Sequence, residues 1–350
     1  MNAVRRSLTG TTRVLPGMLL SAVIALAATG FGTLPTLRSY GVSALTLAIL
    51  GGLLLANTLY PRIAQAAGPG VLFSRQTLLR AGVVLYGLRL TLRDIAAIGP
   101  AAVVIDSLVV SSTFLLSVWL GTRVFGIDRE TSVLIGAGSA ICGAAAVMAT
   151  EPVVRARNDH VTIAISTVVL YGTVGMFAYP ALYALASHGA GAAGMRWFGV
   201  YAGSTIHEVA QVFAAGRSVG ESAANTAVIT KMVRVMMLAP FLMLLSAWIG
   251  RDAQAVRRPR QSLTVPWFAV AFVGLVLFNS LTLLPARALA LMSGLDTVLL
   301  AMAMAALGLG TRISALRAAG PRPMLLGAAL FLWLVAGGAG INELVSAWLP

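Results

Sequence analysis

Two long apolar stretches of this chain are interrupted by residues that do not suit a plain lipid-facing helix. The first runs from Asp128 to Arg157, and small or polar residues stand at its centre, where bulky side chains are expected: Gly136, Gly138, Ser139, Cys142 and Gly143. If a helix breaks there, the N–H groups that begin its second half carry a partial positive charge and can bind an anion. The stretch therefore predicts an anion site at the following residues: Ser139, Ile141, Cys142 and Gly143.

Asp128 can cap the first half-helix, which we expect to end near Gly138. Ser139 or Gly143 can begin a second half that ends at Glu151-Pro152. Two such halves in line would just span the hydrocarbon core, so that their facing ends meet near its middle. Close packing between helices is an alternative reason for the small residues, and the sequence leaves both interpretations open.

The second interrupted stretch contains the sequence Gly203-Ser204-Thr205-Ile206-His207-Glu208-Val209-Ala210-Gln211. Thr205 and Glu208 have the spacing of a capping box, so we expect a helix to begin at Thr205. Ionisable side chains at membrane depth are costly and usually functional, which makes His207 and Glu208, together with Gln211, candidates for coupling or gating. The alternative is that Glu208 only caps a helix and that the segment reaches the membrane surface near His207.

Lys231 is the only lysine of the chain, and it lies three residues before Arg234 in an apolar segment. Residues at this spacing share one helix face, so a single face presents two cations. Because unpaired cations are costly in lipid, we expect an anion or an acidic neighbour such as Glu208 beside them, unless both side chains extend to the surface. Ser204, Thr205 and the two cations complete the predicted substrate-binding set.

Other polar residues give weaker indications. Asp106 lies within an apolar segment, either as a proton or cation site or as a partner of nearby serines, and Arg89 and Asp94 have the spacing of a pair at a helix end. The three histidines show no metal-ligand spacing, and no Gly-rich phosphate loop follows a strand. We therefore expect no enzyme, no metal centre and no cofactor.

The composition indicates a membrane protein throughout. Of the 350 residues, 58% are hydrophobic and 10% are charged, whereas a soluble domain has about 25% charged residues. Successive apolar segments predict an all-α polytopic protein with about 10–11 transmembrane helices, some of them discontinuous, in a single domain over residues 1–350. The net charge of +14 comes mostly from arginines at the ends of these segments. Arginines in these positions favour a role in orienting the helices in the membrane over a role in binding nucleic acid, and their distribution predicts a cytoplasmic amino terminus.

A weak internal repeat, which we call the Gly-Pro repeat, links two distant parts of the chain. Its first copy comprises Gly87-Leu88, Leu92, Ile95, Ala97 and Gly99-Pro100, and its second, with the same internal spacing, comprises Gly308-Leu309, Ile313, Leu316, Ala318 and Gly320-Pro321. An odd number of predicted crossings separates the copies, which favours an inverted repeat of the kind found in many secondary transporters. The general preference of helix ends for Gly and Pro is the alternative.

Several of these motifs together resemble the YeiH-type sulfate exporters, a family of bacterial inner-membrane proteins. The motifs are LYGLRLTLRDIAAIGP (85–100), GAGSAICGAAAV (136–147), STIHEVAQVFAAG (204–216), TKMVRVMMLAP (230–240) and LGLGTRISALRAAGPRP (307–323). That family looks related to inverted-repeat transporters that include sodium/proton antiporters and bile-acid symporters, which implies crossing discontinuous helices. One departure is Ala144-Ala145-Ala146, which stands where family members often carry a further serine.

The combined expectation is a multi-pass inner-membrane transporter that exports sulfate or a related small oxyanion, with coupling to protons or sodium. A cation/proton antiporter using Asp106, Glu151 or Glu208 is the rival interpretation, and a non-transporting membrane scaffold or receptor is a third. The expected partners are the anion and the lipid bilayer, and we expect no nucleic acid among them. Homo-oligomerisation stays open, as does whether segments 129–154 and 195–216 cross the membrane or re-enter it.

Overall fold

A computed structural model of the protein describes residues 2–33, 44–186, 191–252, 267–311 and 319–349. These residues form helices and their connections, without a strand, as expected for an all-α protein. The helices are α1 (Asn2–Gly32), α2 (Ala44–Ala56), α3 (Tyr60–Phe73), α4 (Leu79–Tyr86), α5 (Leu92–Trp119), α6 (Arg129–Ala140), α7 (Ala144–Val154), α8 (Asn158–Ala186), α9 (Gly191–Thr205), α10 (Val209–Val219), α11 (Glu221–Met236), α12 (Leu238–Asp252), α13 (Trp267–Ser280), α14 (Ala286–Gly310) and α15 (Pro321–Trp348).

Six helical segments in the described part of the chain are long and apolar enough to cross a membrane. They are Arg13–Gly32, Gly99–Val124, Asn158–Ala186, Glu221–Ile249, Ala286–Gly310 and Pro321–Trp348. This is fewer than the sequence predicted, because α2, α4 and α13 are short and because each of the two interrupted stretches forms a pair of short helices.

The chain divides into two compact units. Unit 1 comprises Met1–Asp94 and Val270–Ile313, and unit 2 comprises Ile95–Ala269 and Ser314–Pro350. In unit 1, Arg89 holds Asp296 through two hydrogen bonds of 2.7 and 2.8 Å. The predicted pairing of Arg89 with Asp94 is wrong, since Asp94 instead accepts hydrogen bonds from the backbone and hydroxyl of Thr91.

In unit 2, α6 and α7 fold back on each other around Ile141, Cys142 and Gly143, and we call this segment hairpin 1. A Cβ added to Gly138 of α6 would lie 2.7 Å from the side chain of Val147 in α7. The hydrophobic cluster at the other end contains both Ile127, which precedes α6, and Ala156, which follows α7. The two half-helices are therefore not in line, contrary to expectation.

The charged residues at the open end of hairpin 1 lead to the same conclusion. The Nδ1 atom of His160, at the start of α8, lies 3.2 Å from Oε2 of Glu130, at the start of α6. A continuous helix would place Glu130 and Val154 about 36 Å apart. Asp128 accepts a hydrogen bond of 2.7 Å from the Thr131 backbone, which confirms it as the cap of α6.

Helices α9 and α10 form a second hairpin around Ile206, His207 and Glu208, which we call hairpin 2. A Cβ added to Gly220, just after α10, would lie 2.9 Å from the sulfur of Met195, near the start of α9. The predicted helix start at Thr205 is wrong, because Thr205 is the last residue of α9. The capping box is formed three residues later, by Glu208 and Gln211.

Helix α8 places the two hairpins tip to tip. Its first half shares a hydrophobic cluster with hairpin 1 through Ala164 and Val168. Its second half contacts hairpin 2, where the ring of Tyr179 stacks on that of Tyr201 at 4.8 Å. The hairpins therefore enter from opposite ends of α8, and their tips meet near its middle.

Helices α11 and α12 run past both tips. The segment leaves hairpin 2 at Glu221 and ends beside hairpin 1, where the guanidinium of Arg129 lies 4.6 Å from the ring centroid of Trp248. Lys231 and Arg234 lie near the midpoint of this path, at the level of the tips.

The Gly-Pro repeat is only partly within the described residues. Gly99 and Gly320 both have a positive φ, 73° and 81°. Gly99 breaks α5, whose apolar part starts at Pro100, and Gly320 precedes Pro321, the first residue of α15. Ile313, Leu316 and Ala318 of the second copy lie outside the described residues.

Cysteine labelling tests the hairpin arrangement. In a Cys142→Ser background, we expect Glu130→Cys and Arg157→Cys to react with a membrane-impermeant thiol reagent from the same side of the membrane. Both side chains are exposed, at 48% and 77%, so reagent access does not limit the experiment. Glu221→Cys, at the open end of hairpin 2, should react from the other side, whereas labelling of positions 130 and 157 from opposite sides would contradict the hairpin.

Candidate substrate site at the hairpin tips

Lys231 bonds to the tips of both hairpins. Its ammonium group donates a hydrogen bond of 2.7 Å to the carbonyl oxygen of Ile141 and another of 2.7 Å to that of Ile206. Both carbonyls lie just beyond the ends of α6 and α9, where a helix leaves its last acceptors without intrahelical partners. One fully buried cation therefore satisfies the ends of two helices.

Arg234 acts in the same way one helical turn later. Its Nε atom donates to the carbonyl of Ala140 at 2.5 Å, one terminal nitrogen donates to that of Ser139 at 3.2 Å, and the other donates to that of Ser204. The C-terminal end of a helix carries a partial negative charge. Lys231 and Arg234 thus neutralise the carbonyl ends of both first half-helices. The partners that the sequence predicted for these two cations were an anion or an acidic neighbour such as Glu208.

Glu208 lies at the N-terminal ends of the second half-helices, α7 and α10, where backbone N–H groups lack intrahelical partners. It is the cap of α10, where its side chain accepts from the backbone N–H of Gln211 and its own N–H donates to the Gln211 side chain at 3.0 Å. Its Oε1 atom also accepts a long hydrogen bond of 3.5 Å from the backbone N–H of Ala144, the first residue of α7. A single carboxylate therefore lies at the N-terminal ends of both hairpins' second helices.

Gly143 makes room for this carboxylate. Its φ of 71° lies in the region that favours glycine, and a Cβ there would lie 2.4 Å from Cγ of Glu208. The tip of hairpin 1 is therefore shaped around the Glu208 side chain.

Asp106 of α5 is fully buried, and neither of its carboxylate oxygens has a hydrogen-bond partner among the described residues. Its charge interacts with those of Arg234 and Lys231. Counted with their ordinary formal charges, Asp106 and Glu208 are two carboxylates that face two cations, Lys231 and Arg234. Their formal charges cancel.

The remaining predicted site residues lie at or beside the tips. His207 is 2% exposed and stands between Ile206 and Glu208 in hairpin 2, while Cys142 is 7% exposed in the tip of hairpin 1. The hydroxyl of Thr205 bonds within its own helix, to the carbonyl of Tyr201 at 2.5 Å. Glu151 lies in the last turn of α7, away from the tips.

Asn342 of α15 belongs to the same buried group, although it was not among the site residues predicted from the sequence. Its side-chain amide donates a hydrogen bond of 3.2 Å to the hydroxyl of Ser204 and one of 3.0 Å to the carbonyl of Gly338. A single asparagine in a long apolar helix was the available indication, since a buried amide needs polar partners.

A second internal repeat, which the sequence analysis missed, relates the hairpins, and we call it the hairpin repeat. The segment AGSAICGAAAVMA (137–149) matches AGSTIHEVAQVFA (202–214) in Ala-Gly-Ser-x-Ile and in three later residues. The same alignment places the first and last residues of α7 on the first and last residues of α10. The matched serines and isoleucines are those whose carbonyls bind Arg234 and Lys231.

The N-terminal end of α7 is the accessible part of the tips. Ala145 is exposed and Ala144 is half-buried, whereas Lys231 and Arg234 are inaccessible. Because a helix N-terminus attracts negative charge, this end can receive a small anion beside Glu208.

Comparison with known proteins places the chain in a family. The family described as "Conserved hypothetical protein 698" matches residues 16–327. The chain belongs to this family. It is 57% identical over 346 residues to the UPF0324 membrane protein PA5383 of Pseudomonas aeruginosa, covering 98% of this chain and 97% of that protein. It is 52% identical over 338 residues to the UPF0324 inner membrane protein YeiH of Escherichia coli, covering 95% of each.

The family relationship and the apolar helices together identify a multi-pass inner-membrane protein. No solved structure gives a significant match. The resemblance to the YeiH family is thereby confirmed, and the transport of sulfate is not part of what these names state.

Replacing Lys231 tests its role at the helix ends. We expect Lys231→Met to lower the stability of the purified protein by about 2–4 kcal/mol, because two buried carbonyls lose a charged donor. The single cysteine, Cys142, is buried, so the temperature at which it reacts with a fluorogenic maleimide reports unfolding.

Arg217→Met is the control for this measurement. Arg217 is partly exposed and lies 3.9 Å from Glu221, a surface pair whose loss should change stability by less than about 1 kcal/mol. An unfolding temperature of Lys231→Met equal to that of the control would contradict the capping role.

Proposed function

We propose that the protein is a secondary transporter that carries a small oxyanion, with sulfate as the substrate to test, across the bacterial inner membrane. The observation that supports this proposal is the meeting of two hairpin tips near the middle of α8, a helix long and apolar enough to cross a membrane, with the N–H ends of α7 and α10 directed at one place. Irregular backbone at this depth is tolerated where it is buried in protein or lines a cavity, as in transport sites.

The anion is proposed to bind at the accessible N-terminal end of α7, beside Ala144 and Ala145. Lys231 and Arg234 contribute without direct contact, because they neutralise the carbonyl ends of α6 and α9, whose negative charge would otherwise oppose an anion near the N–H ends of α7 and α10. This refines the expectation from sequence, in which the two cations touched the anion themselves.

The two copies of the hairpin repeat are proposed to be inverted relative to each other. They contact opposite halves of α8, so each tip can be reached from a different side of the membrane. Small movements of one hairpin relative to the other can then alternate access to the same site, which is the usual use of such repeats.

Arginines suggest which side each hairpin enters from. Among the described residues, the open end of hairpin 1 has several neighbouring arginines and that of hairpin 2 has fewer. The first set is Arg123, Arg129, Arg155, Arg157 and Arg322, and the second is Arg196 and Arg217. By the positive-inside rule we propose that hairpin 1 enters from the cytoplasm.

A cation/proton antiporter is the second candidate, and Asp106 is the observation that favours it. A fully buried carboxylate without hydrogen-bond partners among the described residues is a candidate for binding a proton or a cation. Its charge interactions with Lys231 and Arg234 weigh against a second cation at the same place.

A new carboxylate beside the proposed anion should block transport. We expect Ala145→Asp to lower the initial rate of radiolabelled sulfate flux in proteoliposomes at least tenfold, because the added charge occupies the helix end and repels the substrate. Folding should persist, since an acidic residue in the first turn of a helix is favourable.

Ala145→Asn is the matched control, because it has nearly the same shape without the charge and should retain most of the flux. Equal rates for the two variants would contradict the proposed site. Absence of sulfate, sulfite and thiosulfate flux in the unmodified protein, together with a sodium or potassium flux that Asp106→Asn abolishes, would favour the antiporter.

A further inference from the structure

On the basis of the proposed oxyanion transport, we propose that Glu208 is an internal anion, which occupies the substrate position in the empty protein and takes up a proton when an external oxyanion binds. The inference assigns proton coupling to one named carboxylate. It concerns the same site as the proposed function, and its test separates the two.

The contacts of Glu208 are those that an anionic substrate would make. Its carboxylate accepts from backbone N–H groups at the start of both α7 and α10, through Ala144 and Gln211. A small oxyanion at the tips would need the same donors, and the 3.5 Å bond to Ala144 is long for a hydrogen bond and therefore weak. The substrate can therefore displace the carboxylate from α7 while Glu208 stays attached to α10.

Gly143 indicates that the Glu208 side chain belongs in this place. Its missing side chain leaves the space that Cγ of Glu208 fills, at 2.4 Å from where a Cβ would stand. Glu208 is 8% exposed as a whole residue, so it is enclosed by the tips without being wholly inaccessible.

The charges that surround Glu208 give the reason for coupling. Hairpin 1 contributes the thiol of Cys142, hairpin 2 contributes His207, and α11 contributes Lys231, which interacts with Glu208 electrostatically. Arg234 and Asp106 complete the group. With Glu208 ionised the formal charges cancel, so an arriving anion adds an uncompensated negative charge beside a carboxylate.

Protonation of Glu208 removes this conflict. A proton from water forms an O–H bond at one carboxylate oxygen, and no other bond is made or broken in the protein. Like charges that share a site cannot easily both stay ionised, so the anion and this proton are bound together. When the anion leaves, the proton leaves and the carboxylate returns to the helix ends. The anion and the proton therefore move across the membrane in the same direction.

Proton uptake during binding measures this directly. Sulfate is titrated into the purified full-length protein by calorimetry in two buffers of different ionisation enthalpy, which gives the number of protons taken up for each anion. We expect the wild type to exceed Glu208→Gln by about one proton per sulfate. Because one linked proton changes affinity about tenfold per pH unit, the wild-type affinity should also fall more steeply with rising pH.

Two further variants complete the design. Glu208→Asp keeps a titratable cap on α10 and should retain the proton uptake, while Glu221→Gln, an exposed glutamate after hairpin 2, should behave as the wild type. The amide of Glu208→Gln can still accept hydrogen bonds from backbone N–H groups. The temperature at which Cys142 of this variant reacts with the fluorogenic maleimide verifies that the variant is folded.

The outcomes distinguish the inference from the proposed function. Sulfate binding with equal proton uptake in the wild type and Glu208→Gln would overturn the inference and leave the transporter proposal standing, as would loss of uptake in His207→Gln alone. Loss of sulfate binding in a folded Glu208→Gln would also overturn it, since a competitor's removal should not prevent binding. Absence of binding of sulfate, sulfite and thiosulfate to the wild type would end both proposals.

Discussion

Broken helices in the interior of a membrane protein leave charged ends where water cannot neutralise them, and the structure of unit 2 depends on how this is solved. Each of the two hairpins brings one carbonyl end and one N–H end to its tip. Lys231 and Arg234 lie at both carbonyl ends, and Glu208 lies at both N–H ends. A backbone carbonyl or amide left without a partner in lipid costs several kcal/mol, so without these three side chains the tips would not be stable in this place.

This arrangement also restricts what the tips can do. The ionised groups around them cancel in formal charge, and the cations are already engaged with carbonyl oxygens. An anion can gain from the N–H ends of α7 and α10 only where a carboxylate already stands. Under the proposed function, the interactions that stabilise the hairpins would therefore connect the binding of an anion to the state of Glu208.

The sequence predicted the membrane class, most helical segments and the residues at the tips, because each of these follows from local composition. Gly138, Ser139, His207 and Glu208 are unusual in apolar segments, and Lys231 is unusual anywhere in this chain. The capping by Asp128 was also predictable, since a cap depends on residues close in the chain.

Contacts between distant residues were not predictable in this way. The fold of each hairpin depends on side chains such as Val147 meeting Gly138, and Asn342 reaches Ser204 from another helix. The capping box was placed at Thr205 because its spacing fits, whereas the structure uses Glu208 and Gln211, which fit equally well. The hairpin repeat is visible in the sequence but is hard to recognise, because most of its matched residues are Ala, Gly or Val, which are common throughout this apolar chain.

The central claim is that an anion binds between the hairpin tips, and a thiol introduced by Ala145→Cys in a Cys142→Ser background allows the most direct test. Position 145 is exposed at the N-terminal end of α7, where the anion is proposed to bind, so this thiol is open to a reagent in the folded protein. The rate at which a small maleimide modifies it should fall severalfold when sulfate or a related oxyanion is added at constant ionic strength. A rate that no oxyanion changes, in a protein shown to be folded, would contradict the site.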